Sequence, residues 1–290
     1  MNPTLRGALA LVKLPPTAML KSLLVATLLA FSAFPQDVGP LRPLSEAEVK
    51  LVKTLAEQDI TLDPARGFCA IPADVTIRDD LLEYLLVGPA GAAHESAFMT
   101  PVSPSVLNVA LLALGVAPGS NAEWHAKDPQ PSEAELRAGA SPYEVRLPQG
   151  SGFFLYVGWR EGEETFVYRV EDLIRNLASG AAMKRHEWIY LGSRVVPNGR
   201  KGEAAADVFG ADVYQNLVNI AFFREGLTLV TGAITDCVDQ GIWMMNSWLV
   251  PERGTRVTLF FARERLNPGD PQVLALLPTV DTERPATEDK

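Results

Sequence analysis

His94, Glu95 and Ser96 stand together at the head of the most strongly patterned stretch of the chain, which runs on to Gly115. A histidine beside an acid is the pairing that general-base catalysis and metal coordination both draw on. The pattern is incomplete for a zinc protease. His-Glu-x-x-His would set two imidazoles on one helical face, and position 98 is Phe. His94–Met99 reads as a strand or a strand entering a turn; on a strand neighbours point to opposite faces, so at most one of His94 and Glu95 can face the core or a cleft. The plain alternative is a polar pair closing a hydrogen-bond network at a strand end. His125 and His186 are the remaining histidines, both read as surface residues, and their spacing gives no metal site.

Other chemistries fail for want of parts. Gly150-Ser151-Gly152 and Gly192-Ser193 do not make the Gly-x-Ser-x-Gly elbow of a hydrolase. Asp236 and Asp239 flank Cys237, and acids beside a thiol raise its pKa and oppose its activation. Cys69 and Cys237 are the only cysteines. They can form one disulfide in an oxidising compartment or stand as two separate buried thiols, and both remain open. No dinucleotide or phosphate-loop fingerprint occurs, and no cofactor is expected. Trp159, Trp188, Trp243 and Trp248 lie in or near predicted strands and read as core, while Trp124 lies in a loop and reads as exposed.

The elements that must position these residues are mostly strands. Ser45-Glu-Ala-Glu48 is a capping box opening an amphipathic helix over about Glu46–Glu57. Short strands follow from Ile60, and Leu81–Val87 reads as a buried one. Ser103 as N-cap, Pro104 at the first helical position and Gly115 as the stop frame a helix that is apolar nearly all round. Such a helix predicts burial on most sides, at the centre of the fold. Ala117–Pro142 is polar and breaker-rich, a long surface loop. Gly152–Trp159 and Thr165–Val170 form a hairpin, and Glu171–Ala178 reads as a short helix. Later strands are expected at 187–196, 206–209, 213–215, 227–231, 244–250 and 256–262, with a helix over 216–224. The expected class is therefore α+β, strand-rich, with mainly antiparallel sheets, a central buried helix over about 104–114 and a few short helices.

Charge and hydropathy bound the setting. The chain has 290 residues, 47% of them hydrophobic, enough for a sizeable core. Its first 32 residues hold Arg6, Lys13, Lys21 and no acid, and Ser22–Phe31 is an apolar run of signal-peptide length. Residues 1–32 are read as a signal peptide cut after Ser32, with an uncleaved anchor as the alternative. Without them, 23 basic residues face 35 acidic ones, a net charge of −12 that gives no broad attraction for nucleic acid. Residues 33–62 form a linker and the amphipathic helix, 63–264 the main body, and 265–290 a mostly disordered tail whose apolar Val273–Leu277 can dock.

Several pieces of the body resemble the YdjY-like domain family of uncharacterised exported proteins. They are Ala73-Asp-Val75, Leu82-Glu-Tyr-Leu-Leu86, His94-Glu-Ser96 and Leu107–Gly115. Later come Glu171-Asp-Leu-Ile174, Trp188–Ser193, Ala211-Asp212, Pro251 and Gly254–Val257. The likeness spans roughly Asp63 to Glu264. Ala92-Ala93 depart from the Lys or Thr often found before the family's histidine. The resemblance implies export and no agreed activity, and it adds Asp172 and Ser193 to His94, Glu95 and Ser96 as candidate ligand contacts. The expectation is a secreted or periplasmic protein without membrane span after cleavage, binding an unknown protein or small molecule at the cell envelope. The alternative is an envelope enzyme, metal-assisted, using His94 and Glu95.

Overall fold

The computed structural model describes residues 42–197 and 207–280. The expected leader, its cleavage site and the linker up to residue 41 lie outside the described residues, as do 281–290. Helix α1 (Glu46–Ala56) opens with the anticipated capping box, in which Ser45 N–H donates to Glu48 Oε2 at 2.8 Å. Leu55 anchors it in the core, and β1 (Thr61–Asp63) then pairs with β2 (Phe68–Val75). β3 (Tyr84–Val87) and β4 (Ser96–Met99) lead to α2 (Pro104–Ala113). The polar stretch beyond it is a ribbon of β5 (Glu123–Ala126) and β6 (Tyr143–Arg146) with α3 (Glu133–Arg137) at its tip. A long hairpin, β7 (Gly152–Glu161) and β8 (Glu164–Arg169), is followed by β9 (Ile174–Asn176) and β10 (Trp188–Tyr190). Then come β11 (Val195–Val196), β12 (Val208–Phe209), α4 (Gly210–Tyr214), β13 (Asn216–Asn219) and β14 (Val230–Thr231). β15 (Trp243–Met245), β16 (Arg256–Ala262), α5 (Pro271–Ala275) and β17 (Thr279–Val280) complete the chain.

Eight of these strands close into a barrel in the order β2-β16-β7-β10-β14-β13-β3-β4. Closure comes from β4 returning to β2, with Met99 opposite Asp74 and Phe98 opposite Val75. β13/β14 and β3/β4 are parallel, and the other barrel pairings are antiparallel. The expectation of α+β sheets with a buried helix over about 104–114 at their centre is thus overturned by a closed mixed barrel. The centre belongs to strand side chains. Along β16, Val257, Leu259 and Phe261 join the main core, while Phe260 and Ala262 face a second apolar cluster outside. The same period of two along β2 and β7 puts Ile71, Ala73, Leu155 and Val157 inside. Gly152 permits the sharp approach of β7 to β10, since a Cβ there would collide with the Trp188 carbonyl.

Helix α2 lies across one mouth of this barrel. Tyr190, at the end of β10, donates to Asn108 Oδ1 at 2.6 Å, and Arg263, just past β16, donates to the Leu114 carbonyl at 3.1 Å. Leu107, Ala110 and Leu111 are buried, whereas Val109 and Leu112 are each 46% exposed. A lid needs only one apolar face, so the all-round hydrophobicity that pointed to a central position is spent on one side only. Ser103 takes the N-cap position without capping, because its hydroxyl meets Ser105 Oγ instead. The cap is supplied by Asp212 of α4, whose Oδ1 accepts from Ser105 N–H at 2.8 Å. Gly115 takes the left-handed stop at φ 78°.

The opposite mouth is plugged by the paired β9 and β15, with Trp243, Met245, Leu173 and Cys237 buried there. Three local expectations change. Val170–Leu173 is a 3₁₀ turn running straight into β9, where a helix was expected, and β13 takes the place of a helix from Asn216. Residues 213–214, expected as strand, end α4. The apolar part of the presumed tail docks: Val273 and Leu277 are buried against Phe68, Tyr156 and Phe260 outside the barrel. No helix among the described residues is long and apolar enough to cross a membrane.

Candidate ligand-binding site

The residues singled out in the sequence do not converge. His94 and Glu95 sit on a 3₁₀ turn (Ala93–Glu95) rather than a strand, so the strand alternation does not apply to them. The His94 side chain is 80% exposed, with Nε2 3.8 Å from Glu95 Oε1. His94 lines an open hollow of about 770 Å³ with Arg78, Asp79, Asp80, Glu252 and Arg253. Behind it, burial and then the neighbouring Glu95 charge push the Glu83 carboxyl above its ordinary range. Ser96 is fully buried and donates to the Phe98 carbonyl at 2.9 Å, a structural bond. Ser193 lies toward the α2 end. Its hydroxyl donates to the Leu227 carbonyl at 2.8 Å and accepts from Ala211 N–H at 3.0 Å, holding its own backbone at φ 56°. Cys69 and Cys237 are not paired; both are free, buried thiols.

Asp172 belongs to a different group. It receives Arg185 through two bonds of 2.8 and 2.6 Å at the edge of a hollow of about 590 Å³. The base of that hollow is a buried polar knot the sequence did not single out. Glu171 is fully buried and accepts from the Arg169 guanidinium, from Trp188 Nε1 at 3.1 Å and from His186 N–H at 3.2 Å. The Arg169 guanidinium lies 5.1 Å from the Phe154 ring centre and 5.3 Å from that of Tyr156. His186 stacks on Trp188 at 4.9 Å and donates Nδ1–H to the Lys184 carbonyl, while its Nε2 has no partner. It was expected at the surface. Instead, burial holds its pKa below the ordinary value. Acids and arginines balance here, which makes the knot a clamp on the base of β8 rather than an anion site.

Between these two hollows lies a groove of about 440 Å³, sharing Tyr168 with one and Glu252 with the other. β7 and β8 flare beyond the barrel as a hairpin turned at Gly162, whose φ is 57°. Phe166 and Tyr168 are two apart on β8 and therefore share a face. Trp159 of β7 meets Phe166 at 5.5 Å and Tyr168 at 5.7 Å, with ring planes inclined by 19° and 39°. The facing wall is the segment Trp248–Glu252. Trp248, expected in the core, is 92% exposed, while Trp124, expected to be free, is half-buried with Arg224 stacked 4.8 Å from its ring centre. Thr255 lines the groove, is 6% exposed, and its Oγ1 has no hydrogen-bond partner. The alternation Phe166-Val-Tyr168 in a hairpin was the available sequence signal; nothing local marks Trp248 as exposed.

Among the described residues no three His, Cys, Asp or Glu side chains converge as metal ligands. Compared with known proteins, the chain matches no family model, no curated protein and no solved structure.

Proposed function

We propose that this chain is a ligand-binding protein that takes its ligand in the aromatic groove at the barrel mouth opposite α2. The carrying observation is Trp248, a large apolar ring 92% exposed across from the Trp159–Phe166–Tyr168 row. Exposed aromatics rimming a concavity are the usual mark of recognition, and barrel mouths are a common place for it. The leader read in the sequence supports a site of action outside the cytoplasm, at the cell envelope, and the resemblance to YdjY-like proteins is part of the same reading.

The test is a ligand screen on the full chain, followed by tryptophan fluorescence and calorimetry. Trp248→Ala should leave stability within about 0.5 kcal/mol, as for an exposed side chain, and lower ligand affinity roughly tenfold or more. A ligand that binds Trp248→Ala and Phe166→Ala as tightly as it binds the unaltered chain would remove the proposal. The competing reading is a metal-assisted enzyme using His94 and Glu95, favoured by the hollow that His94 lines. Turnover and a stoichiometric metal, both abolished by His94→Ala, would establish it in place of ours.

A further inference from the structure

We infer that the ligand of this groove is a small organic ammonium, an inference that rests on the groove being the binding site. The argument is the chemistry of the walls. No Lys, Arg, His, Asn or Gln lines the groove, while Glu161 and Glu252 do. Glu252 shares its charge with Arg78 at 2.6 Å. Glu161 has no such cation: its carboxylate accepts from Trp159 Nε1 at 3.1 Å and forms no ion pair among the described residues. Glu163 and Glu164 at the hairpin turn extend the acidic rim.

Aromatic faces carry the negative side of a quadrupole and attract a cation placed over them. Phe166, Tyr168 and Trp248 offer such faces beside the unpaired Glu161. The buried, unpartnered Thr255 Oγ1 adds an acceptor for an O–H or N–H carried by the ligand. A neutral sugar fits less well. Its hydroxyls need donors as much as acceptors, and the side chains on the walls supply only two hydroxyls, besides indole N–H, to give. The volume, about 440 Å³, is that of a small-molecule pocket.

The probe pair is choline and 3,3-dimethylbutan-1-ol, which has the same shape with carbon in place of the charged nitrogen. Calorimetry on the full chain should show choline binding roughly tenfold more tightly or better. Glu161→Gln keeps an oxygen to accept from Trp159 and removes the charge. It should weaken choline by a similar factor and leave the alcohol unchanged, and Trp248→Ala should weaken both. Equal affinity for the two probes, or preference for methyl glucoside, with either lost in Trp248→Ala, would overturn the ammonium assignment and leave the groove as the binding site. A trilysine peptide outbinding choline tenfold would overturn it in favour of a protein partner. Silence from all four probes would also overturn it, and the groove itself would then stand or fall on the Trp248→Ala screen.

Discussion

Replacing Glu171 by Ala should be among the most damaging single changes available to this chain. The carboxylate is fully buried, and its partner Arg169 is 8% exposed. Truncation leaves a guanidinium without its counter-charge in a place water barely reaches, and it strands the Trp188 indole and His186 backbone N–H groups. Breaking a buried pair from one side costs about 3–5 kcal/mol, a large part of the 5–15 kcal/mol by which domains are stable. For a domain of this size, with a urea dependence of roughly 3 kcal/mol per M, the midpoint should fall by about 1–1.7 M. Urea denaturation followed by far-ultraviolet circular dichroism measures it directly. The informative control is Arg169→Met combined with Glu171→Gln. The cation is then gone, and the amide oxygen still accepts from Trp188 and His186. That double variant should recover at least half of the loss, a coupling that neighbouring residues show and distant ones do not. A loss below about 1 kcal/mol in Glu171→Ala, or a double variant no better than the single one, would refute the view that an uncompensated charge is the cause.

Other expectations follow from the same packing. Burial holds the His186 imidazole below its usual pKa of 6.5, so the folded chain keeps it neutral while the unfolded chain takes up a proton. Stability should be full above pH 6.5 and fall as the pH drops below it, by up to about 1.4 kcal/mol per unit; His186→Phe, which preserves the stack on Trp188, should flatten that slope in pH-dependent unfolding. Burial raises the Cys69 thiol pKa and pushes that of Cys237 up to about 12. Neither should react with a thiol reagent in the native protein and both should in denaturant; fast labelling of either in the folded state contradicts this. Asp212→Ala should cost about 1 kcal/mol through the lost cap on α2, read as a lowered melting temperature, and Asp212→Asn should retain most of it.

Local features were largely legible. Ser45 and Glu48 announced α1 and Pro104 and Gly115 framed α2, because caps act within a few positions, and the apolar run at Arg256–Ala262 matched β16 residue for residue. What failed was placement. The leucines of α2 carry no mark that distinguishes a helix inside a core from one lying over its end. Asn216–Asn219 became strand because β3 and β14 lie on either side of it, a tertiary reason invisible in propensity. The aromatic groove was missed for the same cause: Trp159 and Trp248 read alike in sequence, and only the folded chain packs Phe166 and Tyr168 on the one and leaves the other bare. His94 drew notice by residue type, yet its side chain stands 80% in solvent. Glu171, which holds the polar knot together, looked like an acid in the first turn of a helix that does not form.

The seam between β2 and β16 has a consequence for how the molecule is made. It joins Asp74 to Arg256, 182 positions further along. Until synthesis has passed residue 262, a nascent chain holds β2 and β7 with an unpaired border apiece, each a template for another chain. Contacts that distant are slow to find and leave sticky intermediates in the meantime. Truncation anywhere before β16 should therefore yield aggregates rather than a smaller working unit, and helper proteins that shield open sheet borders should raise its yield most when chain growth is slowed.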